Sequence, residues 1–187
     1  MNLQELYKSF IGKNEFLSVF CNPDDQYGVV FGFAAQIDKD HFICNEVSTE
    51  GTYDGYVLRK ADNIFRIDYG SYYESSLFKV FARENIKHKE IPDNNNVFVN
   101  FIQFAKDSGF VISVGIRDYS SNSVTGYIDS IDLEARIFTI HTITQEKEGD
   151  FDGYIAVSFD DVYRMRCDSE GDRFFQILNE IATGNQA

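Results

Sequence analysis

Residues 150–166, DFDGYIAVSFDDVYRMR, restate residues 52–68, TYDGYVLRKADNIFRID, at a constant offset of 98. Asp54, Gly55 and Tyr56 meet Asp152, Gly153 and Tyr154, and Asp62 and Arg66 meet Asp160 and Arg164. The swaps between them are conservative: Ile64 with Val162, Phe65 with Tyr163, Ile67 with Met165. Upstream, EFLSVFCNPDDQYGVVFGFAAQID (15–38) lies over GFVISVGIRDYSSNSVTGYIDSID (109–132) at an offset of 94, with Phe16 on Phe110, Gly32 on Gly126, Ile37 on Ile131 and Asp38 on Asp132. Ordered matches with one change of offset read as a duplication whose second copy has gained four residues, most economically in the TQEKEGD loop. A duplicated chain is expected to fold as two similar units. The division that follows is a first repeat at 1–86, a linker at 87–97 and a second repeat at 98–187.

Both copies carry the same run of elements. Apolar residues at helical spacing, Leu3, Leu6, Tyr7, Phe10 and Ile11 in one and Phe98, Phe101, Ile102 and Ala105 in the other, predict an opening helix. Strands are predicted over 15–21, 28–38, 41–48, 55–60 and 63–68, and again over 110–117, 123–132, 136–144, 153–158 and 161–167. Turn signals such as NPDD, SSNS and DKD separate them. A closing helix is predicted at about 75–85 and at about 171–182, with Ser75 or Ser76 and Asp172 as N-caps. Eighteen phenylalanines and eleven tyrosines suit strands and supply core material. Five short strands in each repeat are too few residues for a layered α/β domain. The expected class is mainly β (α+β), with two tandem small barrels, each opened and closed by a helix.

Within both copies runs the pattern G-x-h-x-x-h-D, where h is apolar: Gly32, Ala34, Ile37 and Asp38, then Gly126, Ile128, Ile131 and Asp132. This resembles the first motif of Sm-like barrel proteins, over about sixty residues of each copy. The resemblance implies an Sm-like, SH3-like barrel of about five strands per repeat. The glycine would sit where the second strand bends, and the aspartate at the turn into the third. It also implies assembly through edge strands, as a homo-oligomer or with a partner. The RNA-binding members carry asparagine four residues after the aspartate, where this chain has Phe42 and Arg136. Their second motif ends in an Ile-Arg-Gly type step, which is replaced here by NIFRID and DVYRMR. The base-holding residues are therefore not recognisable.

Charge points the same way. Residues 1–93 hold ten basic against fifteen acidic side chains and residues 94–187 seven against fifteen, giving a net charge of -13. Nucleic-acid affinity draws largely on a basic footprint, so RNA is disfavoured. The basic cluster Arg83, Lys87, His88 and Lys89 is interrupted by Glu84 and Glu90 and reads as a solvated helix end or linker. Cys21, Cys44 and Cys167 show no C-x-x-C spacing and read as buried thiols. No signal-peptide pattern or membrane-length apolar run occurs, so a cytoplasmic protein without a membrane is expected.

Six residues stand out as surface binding candidates: Asp54, Tyr56 and Arg66, with their repeats Asp152, Tyr154 and Arg164. An acid beside an exposed tyrosine can grip a cationic group or stack a ring. Asp-Gly is equally the chemistry of a positive-φ turn, and each arginine can pair with Asp62 or Asp160. The acids Asp150, Asp152, Asp160 and Asp161 lack the alternating spacing of a calcium loop, and His41, His88 and His141 are isolated. No phosphate loop, dinucleotide turn or nucleophile elbow is present. The expectation is no metal, no cofactor and no catalysis. The chain then acts as a binding or assembly module through protein–protein contacts, with an RNA-binding protein and an acidic inhibitor of a basic partner as alternatives.

Overall fold

A computed structural model of the chain describes residues 1–21, 28–94, 96–116, 123–143 and 151–183. The NPDD and TQEKEGD turns and most of SSNS lie outside these residues. Two compact units emerge, Met1–Asn100 and Phe101–Ala187. The first unit holds α1 (Leu3–Lys8), β1 (Leu17–Cys21), β2 (Val29–Ile37), β3 (His41–Val47), β4 (Tyr53–Lys60), β5 (Ile64–Tyr69) and α2 (Tyr72–Glu84). Helix α3 (Val97–Asp107) contains the boundary. The second unit continues with β6 (Ile112–Ile116), β7 (Val124–Asp132), β8 (Ile137–Ile143), β9 (Phe151–Ser158), β10 (Val162–Cys167) and α4 (Glu170–Thr183). A one-turn 3-10 helix, Ala61–Asn63 and Phe159–Asp161, joins the fourth strand to the fifth in each.

All pairings within a unit are antiparallel, with β1 between β5 and β2, and β6 between β10 and β7. The two expected closed barrels are not formed. The strands of each unit make an open antiparallel sheet, in the order β5-β1-β2-β3-β4 in the first and β10-β6-β7-β8-β9 in the second. Closing a barrel would need the fourth strand of a unit to pair with its fifth. The 3-10 turn instead carries the fifth strand away to pair with the first.

Register refines the duplication. Gly32 faces Glu46 and Gly126 faces Thr142, while Cys44 pairs with Val57 and Ile140 with Ile155. Second strands are thus offset by 94, third strands by 96 and fourth strands by 98. The four extra residues are split, two in the turn before β8 and two in the loop after it. The counterpart of Phe42 is then Phe138, not Arg136, and both rings are fully buried. First strands are offset by 95, because Leu17 and Ile112 face the two glycines. Phe16 therefore corresponds to Val111 rather than Phe110.

The motif residues do specific work in both units. A Cβ on Gly32 would fall 2.0 Å from the Asn45 carbonyl oxygen, and one on Gly126 would fall 2.2 Å from that of His141. Asp38 accepts from the backbone N–H groups of Asp40 and His41, at 2.8 Å each, and of Val97 at 3.0 Å. Asp132 accepts from those of Glu134 and Ala135. Burial alone would raise the Asp38 carboxyl, but these donors outweigh it and hold it below the usual aspartate value.

The first unit buries both faces of its sheet. Val30 and Ala34 on β2 join Tyr7, Phe10, Leu17, Phe42 and Val57 under α1, and the Tyr7 hydroxyl donates to the Ile43 carbonyl at 2.6 Å. The alternate residues Phe31 and Phe33 turn to the other face, against Leu77, Phe78 and Phe81 of α2. The closing helices start earlier than predicted. Ser71, not Ser75 or Ser76, caps α2, with Glu74 completing a capping box. The Ser169 hydroxyl accepts from the Asp172 N–H at 3.1 Å, so Asp172 sits one turn inside α4 rather than capping it.

Each box also reaches into the sheet. Glu74 and Asp172 are 3% and 2% exposed. Ser18 of β1 donates to Glu74 at 2.6 Å, and Ser113 of β6 donates to Asp172 at 2.6 Å. The N-cap hydroxyls of Ser71 and Ser169 donate to the same two carboxylates. One buried acid thus ties helix to strand in each unit. Among the described residues no helix is long and apolar enough to cross a membrane.

Candidate functional site

The face of β2 that carries Phe33 meets α2 in a cluster of edge-on and tilted rings, with Phe33 5.5 Å from Phe16, 6.1 Å from Phe78 and 5.4 Å from Phe81. Helix α2 ends at Asn85 in the left-handed region, φ 53°. Asparagine tolerates that conformation, and it turns the chain back across the sheet. Residues 85–91, expected as a helix end and linker, form a strap across β2, β3 and β4. Gln36 donates to the Ile91 carbonyl at 2.8 Å, and His88 Nε2 lies 3.0 Å from the Glu46 carbonyl oxygen. The Tyr56 hydroxyl accepts from the Lys89 N–H at 2.6 Å and donates to the Lys89 carbonyl at 3.2 Å.

Rings hold His88 in place. Phe81 stacks on it at 5.7 Å, Tyr53 tilts against it at 4.5 Å and Tyr56 meets it edge-on at 5.4 Å. Between the strap, β2, α2 and the loop 11–14 lies a groove of about 870 Å³. Its walls include Phe33, Phe78 and Phe81, and its rim carries Lys13, Lys87 and Lys89 against Glu90 and Asp93. Asn45, facing Phe33 across the β2–β3 ladder, also lines it, and its buried Oδ1 has no hydrogen-bond partner among the described residues. An unsatisfied buried acceptor costs about 1–3 kcal/mol.

The six residues singled out in the sequence fall in different environments. Tyr56 is fully buried and serves as the clamp of the strap, not as an exposed ring. Tyr154, its repeat, is 63% exposed and stacks on His141 at 4.4 Å, with the ring planes 9° apart. Asp54 is half-buried. It stands beside Gly55, φ 76°, where β4 carries one more residue than β3 between the Asn45–Tyr56 and Val47–Tyr53 pairs. The same bulge recurs at Gly153, φ 106°. Asp-Gly is therefore a bulge inside a strand rather than the turn before one. The side chain of Asp152 lies outside the described residues, as does Asp150.

The expected arginine pairings are replaced. Arg66 binds Asp68, with Nε 2.7 Å from Oδ1, and its guanidinium lies 4.5 Å from the centre of the Phe20 ring. Asp62 accepts from Gln4 instead. Asp160 pairs with Arg136 at 2.7 Å, while Arg164 donates to the Ser123 hydroxyl at 3.3 Å. Asp68 is two residues beyond Arg66 and so shares its face of the strand, which a side chain four positions back across a 3-10 turn does not. Such exposed pairs contribute about 0–1 kcal/mol.

No family model, curated protein or solved structure matches the chain. The groove and the surface chemistry therefore carry the functional reading.

All three thiols are buried. Burial pushes Cys21 up to about 12 and raises Cys44 and Cys167 well above the usual thiol value, so they stay protonated near neutral pH. Among the described residues, no group of three or more His, Cys, Asp or Glu could hold a metal ion.

Helix α4 presents the second surface. It turns Asp172 and Asn179, 2% and 8% exposed, inward. On the opposite face Phe174, Ile177 and Ile181 stand 57%, 54% and 61% exposed. Neither this row nor the groove was among the candidates read from sequence. The i, i+3, i+7 spacing of the row was legible, but it reads as a core stripe until the buried face is known.

The clamp gives a direct test. Tyr56→Phe removes both bonds to Lys89 while keeping the ring, and is expected to destabilise the protein by about 1–3 kcal/mol. Amide exchange should accelerate at residues 86–91 more than in β3. Equal protection of the strap in both proteins would show that the hydroxyl does not hold it.

Proposed function

We propose that the protein is a non-catalytic binding module that works through protein–protein contacts, docking a partner on the outward face of α4. The observation that carries this reading is the row Phe174, Ile177 and Ile181 left in water. Fully burying such side chains is worth about 1.5–3 kcal/mol each, which favours covering the row. The setting selects the partner. The second unit has seven basic against fifteen acidic residues, and Glu170 and Glu180 sit on the same helix. A partner segment with spaced apolar anchors flanked by lysine or arginine complements it, and two copies of a chain at -13 repel each other.

A short amphipathic helix of leucine and lysine serves as probe, with its leucine–glutamate counterpart and oligouridine as controls. Fluorescence anisotropy is expected to show the basic peptide bound and released by ~0.5 M salt. Ile177→Asp should weaken it about tenfold or more, with an unchanged circular dichroism spectrum. Equal binding to wild type and variant, or preference for the acidic peptide or for RNA, would overturn the proposal. So would sedimentation showing that α4 is covered by a second copy.

A further inference from the structure

The groove of the first unit is a separate surface from α4, and its chemistry is not that of a docking face for a basic segment. We infer that it is a binding site for a small organic anion with a flat apolar body and one hydrogen-bond donor. Three features of the groove select these three properties.

The first is shape. About 870 Å³ falls within the range of small-molecule pockets, and the strap, fixed at Lys89, His88 and Ile91, walls the groove on one side. Phe33, Phe78 and Phe81 offer ring faces and edges to a flat body, and aromatic pairs favour offset and edge-on contact. The second is Asn45. Its Oδ1 is closed off from water without a partner among the described residues, so a molecule lying on the neighbouring Phe33 ring reaches it with an N–H or O–H once the amide turns toward the groove. A groove wall that leaves an acceptor unmatched is complementary to a ligand that supplies the donor.

The third is charge. The first unit has ten basic and fifteen acidic residues, yet three lysines face two acids around this groove. Lys87 forms no ion pair among the described residues. An anionic end group placed at the strap would meet Lys87 and Lys89, both exposed, and its attraction to them would weaken with added salt. The site is not duplicated. The second-unit counterpart of Asn45 is His141, whose ring is taken by Tyr154.

The probe is 8-anilinonaphthalene-1-sulfonate, which combines a naphthalene body, one aniline N–H and a sulfonate. N-phenyl-1-naphthylamine has the same body and N–H without the charge. Titration of the folded protein is expected to give one saturable site. Amide shift changes should gather at Phe33, Asn45, Phe81 and His88, and the uncharged dye should bind about tenfold more weakly. Lys87→Gln with Lys89→Gln should remove that difference between the dyes while leaving the uncharged dye's affinity in place. Asn45→Leu, which keeps the side-chain volume, should weaken both dyes alike. The inference fails if neither dye binds, if the two dyes bind equally to wild type, or if the shifts fall on Phe174, Ile177 and Ile181. That last outcome would mark general apolar binding at α4.

Discussion

Gly32→Ala is expected to destabilise the first unit by about 4 kcal/mol, the sum of overpacking and backbone strain. Two independent penalties act at the position. The backbone sits at φ 147°, where a side chain is rarely accommodated, and the new methyl would lie 2.0 Å from the Asn45 carbonyl oxygen. That oxygen belongs to the neighbouring strand, so it cannot rotate aside as a side chain would. Gly126→Ala meets a carbonyl at 2.2 Å without positive φ and should cost about 2–3 kcal/mol. Gly70→Ala, at φ 72° with nothing within 4 Å of the new atom, isolates the backbone term at about 1 kcal/mol. Urea denaturation of the three variants should rank them in that order. A Gly32 variant no less stable than the Gly70 variant would mean that β2 relaxes away from β3.

Glu74→Ala is expected to cost about 3 kcal/mol, because the buried carboxylate serves two elements at once. It accepts the hydroxyls of Ser18 and Ser71 and the Ser71 N–H, and its removal strands the Ser18 hydroxyl at a position 2% exposed. The pH dependence has a definite sign. Burial by itself would raise the Glu74 carboxyl, but the Ser18 and Ser71 donors prevail and leave it below its ordinary value. A folded-state value below the unfolded one stabilises the protein fully above the unfolded glutamate value, about 4.3. That stability is lost as pH falls through the lowered value. Between pH ~5 and pH ~3, wild type should therefore lose more unfolding free energy than Glu74→Gln. Asp38, also lowered, contributes a loss of the same sign on acidification but is common to both proteins. Parallel pH profiles would show that Glu74 is not the linked group.

The elements were legible because their periodicity is local. Alternation of Val30, Gly32 and Ala34 against Phe31 and Phe33 marks β2, Asp38 and Asp132 sit at the turns into the third strands, and the motif glycines lie where the neighbouring strand's carbonyl leaves no room for a Cβ. Closure was not legible, since whether the fifth strand returns to the fourth is decided by main-chain pairing that leaves no residue pattern. The burial of Tyr56 was hidden for a related reason. Tyr56 and Tyr154 occupy equivalent strand positions, and they part because the strap covers Tyr56 while Tyr154 lies exposed on His141. The groove depends on contacts between β2, α2 and the strap, far apart in sequence. Its one visible trace was the cluster Lys87, His88 and Lys89, which charge alternation disguises as a solvated segment.

The strap is gripped at Lys89 and Ile91 by their main-chain atoms, through Tyr56 and Gln36. Every residue type except proline at 89 offers those same atoms. The side chains at 87, 89 and 90 can therefore be rewritten by mutation while the segment keeps its path, so long as Tyr56, Gln36 and His88 persist. In descendants of this chain, and in laboratory libraries built on those three positions, the charge around the groove can drift or reverse sign without a new fold having to arise. What the first unit recognises is separable from what holds it together.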